Sequence, residues 1–376
     1  MVRAGRNLLF SLFLCLTGAT TVSAATSVSS KDYAISADII AEGLDHPWGL
    51  QFLPDGDMLV SERNGGIKRV DSRGKVTDVS GVPNFVEKGQ GGLMGIALSS
   101  DFSESGILFI AFAEGGDFRK AGTSVFRAKL SGDRLEDGRV IFRSAPKLGG
   151  GRHFGGRLLI DGDALYVTLG DRGHRERAQS LADHVGTMLK LTHDGDPYPG
   201  NPFTSQGNAK PAIYSFGHRN IQGIAKDASG NIWTHEHGPQ GGDEVNLTSA
   251  GKNYGWPVIT YGVNYGLGTK IGEGTHKAGM EQPALYWVPS IAPSGMAFYD
   301  GAVFPEWQGD LLVGSLKFGL LVRLEIDENG QVTEAERMLD GKFGRIRDVV
   351  SGPDGAVYLL TDEGNGKVIR LTDSGE

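Results

Sequence analysis

FLPDGDMLVSERNGGIKRV, residues 52–70, decides the fold. It holds an Asp-Gly turn, an alternating apolar run, a second glycine turn at 64–66 and another alternating run. Turn residues between period-2 runs read as β-hairpins. The phrase returns with variation as IDGDALYVTLGD (160–171), DASGNIWTHEHG (227–238) and GPDGAVYLLTDEGNGKVIRL (352–371). SGILFIAFAEG (105–115) and GDLLVGSLKFGLLVRLEID (309–327) are looser versions. Recurrence at roughly 50–70 residues marks a repeat architecture, and its irregular spacing suits propeller blades with variable loops. Runs near 45–70, 92–128, 155–192, 213–258, 295–325 and 345–371 give six blades. The expected fold is therefore all-β, a six-bladed β-propeller, with a pair of β-sandwiches as the alternative.

Other features agree. Glycine (58 of 376 residues) greatly outnumbers proline (15) without a G-X-Y period, which excludes collagen and points to many tight turns. No long amphipathic helix is present; SLADHVGTMLKL (180–191) comes nearest and is broken by Gly186. The Gly/Pro-rich stretch 193–212 reads as an excursion between strands, because repeats continue on both sides. Residues 25–376 form one expected domain.

Residues 1–24 differ in kind. Arg3 and Arg6 precede an apolar stretch that ends Val22-Ser23-Ala24, as in a secretory signal cleaved after Ala24. The apolar core is short for a membrane span. Cys15, the only cysteine, lies inside it, so the mature chain has no disulfide and no Cys-ligated metal. Export without disulfides fits a bacterial periplasm. The net charge of −8 becomes −10 once the two arginines leave. Such an acidic chain is poorly suited to nucleic acid or anionic lipid, so converging cations in it need a local reason.

Several constellations could carry chemistry. GGGRHFGGR (149–157) sets His153 among glycines that would let a ligand approach the backbone. A neutral imidazole is a competent general base, although a loop histidine bonded to backbone is the plainer reading. SFGHRNIQG (215–223) places Arg219 beside Asn220, a guanidinium fork next to an amide. THEHGPQGGDEVNL (234–247) offers His235 and His237 at metal-ligand spacing, but a hard cation suits it better. Gly238 and Pro239 present carbonyls in a turn, and Asp243 and Glu244 add carboxylates, as calcium prefers. Lys317 interrupts an apolar run, and Arg345 and Arg347 share a strand face by period 2. Arg219, Lys317, Arg345 and Arg347 occupy comparable places in three successive repeats, which suggests a multi-anionic ligand at the channel mouth. Gln90 sits in a similar glycine setting, GQGGLMG.

In order, LDHPWGLQFLPDG, GQGGLMG, RHFGGR, FGHRN, EHGPQGGDE, KNYGWP, SLK, RIRDVV and GAVYLLTD resemble the soluble quinoprotein sugar dehydrogenases, nearest their aldose sugar dehydrogenase branch. That family folds as a six-bladed propeller and uses pyrroloquinoline quinone (PQQ). The resemblance implies that His153 takes the sugar C1 hydroxyl proton while hydride passes to the quinone. Gln90, Arg219, Asn220, Lys317, Arg345 and Arg347 would hold PQQ, whose three carboxylates account for the cations. Tyr265 would line the same pocket. The Gly238 and Pro239 carbonyls would bind a Ca²⁺ that also contacts PQQ, and Glu244 and Tyr254 would mark a second, structural Ca²⁺. Departures exist. Arg152 stands where the glucose branch has an acid, the insertions that help that branch dimerise are missing, which favours a monomer, and no convincing aromatic counterpart for stacking on PQQ stands near WVPSIAPSG (287–295). The alternatives are a calcium-dependent propeller hydrolase such as a lactonase, and a sugar-binding propeller without catalysis. The preferred sugar and the electron acceptor are not legible.

Overall fold

The computed structural model describes Met1 and residues 26–375, so the export segment with Cys15 lies outside the described residues apart from Met1. Antiparallel strands form six sheets, five of four strands and one of five. Their innermost strands are Pro47–Phe52, Leu93–Leu98, Leu158–Asp161, Ile221–Lys226, Pro293–Phe298 and Ile346–Ser351. Each neighbours the next, and the last returns to the first, which is a closed six-bladed propeller. The sandwich alternative is thereby excluded.

The hairpins follow from local chemistry. Asp71, Asp227 and Asp327 each accept backbone N–H bonds from the residues two and four positions on. Each such turn then closes through a glycine at positive φ, Gly74, Gly230 or Gly330. Apolar residues facing between blades weld the ring. Leu50, Met58 and Val60 of the first blade pack with Tyr358, Leu360 and Val368 of the last. Burial of one such side chain contributes roughly 1.5–3 kcal/mol.

The six runs read from sequence capture the inner strands but not the outer ones. Val76–Val79, Arg134–Arg143 and Val332–Met338 are outer strands with largely exposed faces, so the period-2 signal fades there. Ile213–Phe216 belongs to the third blade, not to the run that starts the fourth. The last blade closes on an N-terminal strand, Ala34–Leu44, paired with Gly366–Asp373. No helix among the described residues is long and apolar enough to cross a membrane.

Candidate active site

In every blade the start of the inner strand and the end of the second strand reach the same mouth of the channel. The sequence candidates sit at those two places. A cavity of about 750 Å³ opens there, with Gln90, Asn220, Pro239, Tyr265, Lys317, Arg345 and Arg347 in its wall. Tyr265 stands on the rim, 67% exposed.

His153 and Arg219 are not in that wall; His153 is buried next to its wall residues Phe154 and Gly155, with its backbone in the left-handed region at φ 56°. The surrounding glycines serve the chain itself. Gly155 has φ 65°, and a Cβ there would fall 2.4 Å from the Thr168 carbonyl oxygen. A Cβ on Gly91 would enter the Phe154 ring at 2.6 Å. Space that reads from sequence as room for a ligand is thus taken up, at these two positions, by neighbouring protein atoms.

Two contacts fix His153. Its backbone N–H donates to Gln90 Oε1 at 2.7 Å. Its ring Nδ1 lies 2.6 Å from Asp171 Oδ1. Asp171 also accepts from the Gly173 N–H at 2.6 Å and from Trp256 Nε1 at 2.8 Å. Burial pushes the His153 pKa below its ordinary value; Asp171 opposes this, and the Arg219 charge adds to it. Burial alone would raise Asp171, but its bond to His153 leads the effects that hold it below the usual carboxylate range. Both directions are satisfied by a neutral ring that donates Nδ1–H to an ionised carboxylate. Nε2, with its lone pair, then makes no hydrogen bond among the described residues. Asp171 supplies an acid for the ring from across the same hairpin, where the Arg172 N–H meets the His153 carbonyl, while Arg152 itself is exposed. Arg172 was also overlooked. Its guanidinium lies 3.3 Å over the Phe154 ring and donates to the Gly150 and Arg152 carbonyls, holding the loop that carries His153. Burial lowers its pKa to about 10.

The cations surround the cup unequally. Arg345 and Arg347 both reach Asp362 Oδ2, at 3.3 and 2.5 Å, and Arg63 approaches Oδ1 at 3.6 Å. Burial would raise Asp362, but Arg347 and the other guanidiniums hold it at about 2. Arg219 is buried, donates to the His237 carbonyl at 2.9 Å and has no ion-pair partner among the described residues. Lys317 is exposed and likewise unpaired. Arg347 Nε is buried with no hydrogen-bond partner. Three cations therefore share one bridging carboxylate, Asp362, while Arg219 and Lys317 make no ion pair among the described residues. Asn220 spends Oδ1 on the Gly155 N–H at 3.1 Å. Arg63 and Asp362 had no motif to reveal them; each lies just past the end of a second strand.

The turn after Glu236 behaves differently from its sequence reading. Asp243 is not a free ligand: it accepts from Gly238 N, Ser290 Oγ, Ile291 N and Ala292 N at 2.7–2.9 Å. It clamps the turn to the neighbouring loop. The Gly238 and Pro239 carbonyls accept no hydrogen bond among the described residues. His235 is fully buried with both ring nitrogens unpartnered, and His237 Nε2 donates to the Pro293 carbonyl at 2.6 Å. No group of three His, Cys, Asp or Glu among the described residues is arranged to hold a metal. Glu244 pairs in register with Glu236, and burial, with that neighbouring charge, pushes its pKa well up. Tyr254 stacks on His218 at 4.7 Å and donates to the Leu247 carbonyl, so its side chain serves that wall, not Glu244.

Comparison with known proteins adds a lineage. Residues 44–370 match the profile of the Glucose / Sorbosone dehydrogenase family. The chain is 42% identical over 367 residues to the aldose sugar dehydrogenase YliI of Escherichia coli K12, covering 96% of each chain. The crystal structure of the soluble aldose sugar dehydrogenase from Escherichia coli in the apo-form superposes with a TM-score of 0.88 at 42% identity, covering 90% of this chain and 99% of that one. The PQQ-bound aldose sugar dehydrogenase from Streptomyces coelicolor superposes at 0.73 with 30% identity, covering 90% and 98%.

Proposed function

The chain belongs to the glucose/sorbosone dehydrogenase family, and from that premise we propose that it is a periplasmic, monomeric quinoprotein that oxidises aldoses at C1 to the lactone, using PQQ and Ca²⁺. One observation carries the reading: a neutral, carboxylate-oriented imidazole stands beside a cup whose cations outnumber its carboxylates. A tricarboxylate fits that cup, since Arg219 and Lys317 lack anionic partners and Arg347 keeps a buried unbonded donor. Gln90, Asn220 and Tyr265 would complete the hold. The unbonded carbonyls of Gly238 and Pro239 suit a hard cation beside it, and Glu244 with the backbone carbonyl of Tyr254, not its committed hydroxyl, would mark a second ion. When bound, the quinone would supply a two-electron oxidant, with the cation polarising its carbonyl.

The chain's own residues perform the remaining tasks. His153 takes the proton of the C1 hydroxyl at Nε2. Asp171 fixes the tautomer through Nδ1 and stabilises the imidazolium that forms. Gln90 and Arg172 hold the loop, so the base does not swing with its glycines. A calcium-dependent hydrolase would need carboxylates free to ligate an ion; Asp243 is committed, and that reading leaves the cations unexplained.

The test is addition of PQQ and Ca²⁺ to purified apo-protein. Aldose-dependent dye reduction should require both. Absence of dye reduction and of any absorbance change on adding PQQ would refute the proposal. His153→Ala should abolish turnover while PQQ still binds.

A further inference from the structure

The six inner strands can be laid on one another by their register. They read PWGLQF, LMGIAL, GRLLID, IQGIAK, PSGMAF and IRDVVS, from residues 47, 93, 156, 221, 293 and 346. In five, the third residue of the six, or the one before it, sits at a register shift against the second strand. Four blades carry glycine there: Gly49, Gly95, Gly223 and Gly295. The others carry Asp348 and, one place earlier in its own frame, Arg157. Blades three and six are diametrically opposed in a ring of six.

At two of the glycines, Gly95 and Gly295, the missing Cβ leaves room for the neighbouring blade, and the two exceptions fill the axis. A Cβ on Gly95 would lie 2.5 Å from the Gly156 carbonyl oxygen, and one on Gly295 would lie 2.1 Å from Asp348 Oδ1. Arg157 crosses the vacated space. Its Nη1 donates to Asp348 Oδ1 at 2.6 Å, Nη2 to the Arg347 carbonyl at 2.9 Å and Nε to the Gln222 carbonyl at 2.8 Å. Its guanidinium stacks 4.3 Å from the Trp48 ring. Asp348 Oδ2 in turn accepts the Leu50 N–H at 3.0 Å. One side chain thus ties blades one, three, four and six together. On one side lies the cup, with Trp48, Gln222 and Arg347 in its wall. On the other lies a cavity of about 930 Å³ that reaches Arg157 and Asp348.

We propose that the Arg157–Asp348 pair is a septum across the propeller axis that positions the floor of the cofactor cup, Trp48, Gln222 and Arg347. Arg157 is a positioning residue: it acts through the Arg347 and Gln222 backbone, not on the reacting atoms. Each of its three nitrogens donates to an acceptor, which is what a buried guanidinium needs to be tolerated. The pair holds Arg347 in place before any ligand arrives, and preorganisation of that kind is expressed in affinity. The affinity arm of this inference rests on the PQQ reading; the rigidity arm does not.

The decisive variant is Arg157→Lys. Lysine keeps a charge for Asp348 but offers no planar fork for the two carbonyls. Two readings are taken on the full mature chain: PQQ affinity with Ca²⁺ by titration calorimetry, and amide hydrogen exchange over 221–226 and 346–351 in the apo-protein. Wild type should bind PQQ, the variant about tenfold more weakly, and both segments should exchange about tenfold faster. Unchanged affinity or unchanged exchange in the folded variant overturns the proposal. Should wild type fail to bind PQQ, the proposed function falls, and exchange alone decides the septum. Should R157K not fold, the apolar double variant R157M/D348L takes the same readings; failure of both to fold would make the pair a folding determinant only, and would also overturn it.

Discussion

Asp171→Asn isolates the geometry that makes His153 a base. The native carboxylate accepts from His153 Nδ1 and Gly173 N at Oδ1, and from Trp256 Nε1 at Oδ2. An asparagine has one acceptor oxygen for these three donors. If its NH₂ replaces Oδ2, it meets the Trp256 N–H and leaves a buried donor unpaired, a cost of about 1–3 kcal/mol in stability. If it replaces Oδ1, it meets His153 and turns the ring to the tautomer whose lone pair points inward. In either setting the imidazolium formed during proton removal loses its ionised partner. General-base contributions run to about 10²–10⁴-fold, so kcat should fall by that factor, equivalent to about 3–5 kcal/mol of barrier. The assay is steady-state dye reduction by PQQ- and Ca²⁺-loaded enzyme with aldose concentration and pH both varied, so that kcat and kcat/KM are read separately. Burial already lowers the His153 pKa, and Asp171 is what raises it. Wild-type kcat/KM should therefore hold as pH falls past 6.5 and decline only below the lowered pKa. In the variant that acid limb should move to still lower pH. A variant kcat within about fivefold of wild type, or an unmoved acid limb, would refute both the orienting role of Asp171 and the base assignment.

Three further outcomes are expected. Lys317→Ala, which removes an exposed and unpaired cation, should weaken PQQ binding about tenfold, the size of one charge-assisted hydrogen bond, and leave the thermal midpoint unmoved; titration calorimetry and calorimetric melting check both. Gly155→Ala places a Cβ at φ 65° and 2.4 Å from the Thr168 carbonyl oxygen, and should cost about 2–5 kcal/mol in urea unfolding, with a loss under 0.5 kcal/mol contradicting the close-approach reading. His184 is buried, accepts the Ala145 N–H at Nδ1, and has its pKa lowered by burial to about 4. Its stabilisation, about 3 kcal/mol, is fully present above pH 6.5 and is lost as pH falls towards 4; urea unfolding of wild type against His184→Gln should show the acid-side loss flattened in the variant.

Much of this was legible in one dimension. The Asp227 turn is legible because a carboxylate two and four residues from its donors closes it without help from elsewhere. The second strands of the blades announce themselves as largely apolar runs because both of their faces are buried. The cations at 219, 317, 345 and 347 stood out because they recur at matching points of an acidic repeat. Outer strands such as Val76–Val79 were silent, since half-exposed positions impose little pattern.

What the chain order alone determined, then, is the blade: its turns, its period and the ends from which a site could be built. What only the closed ring decided is which ends meet. Asp362 gathers Arg63 with two arginines at the other end of the chain, and Arg157 finds Asp348 across the axis. Partners separated by 299 and 191 positions share no local period. They are brought together by the rotation of one blade on the next, and that rotation is set by apolar packing between sheets and by Ala34–Leu44 closing the circle.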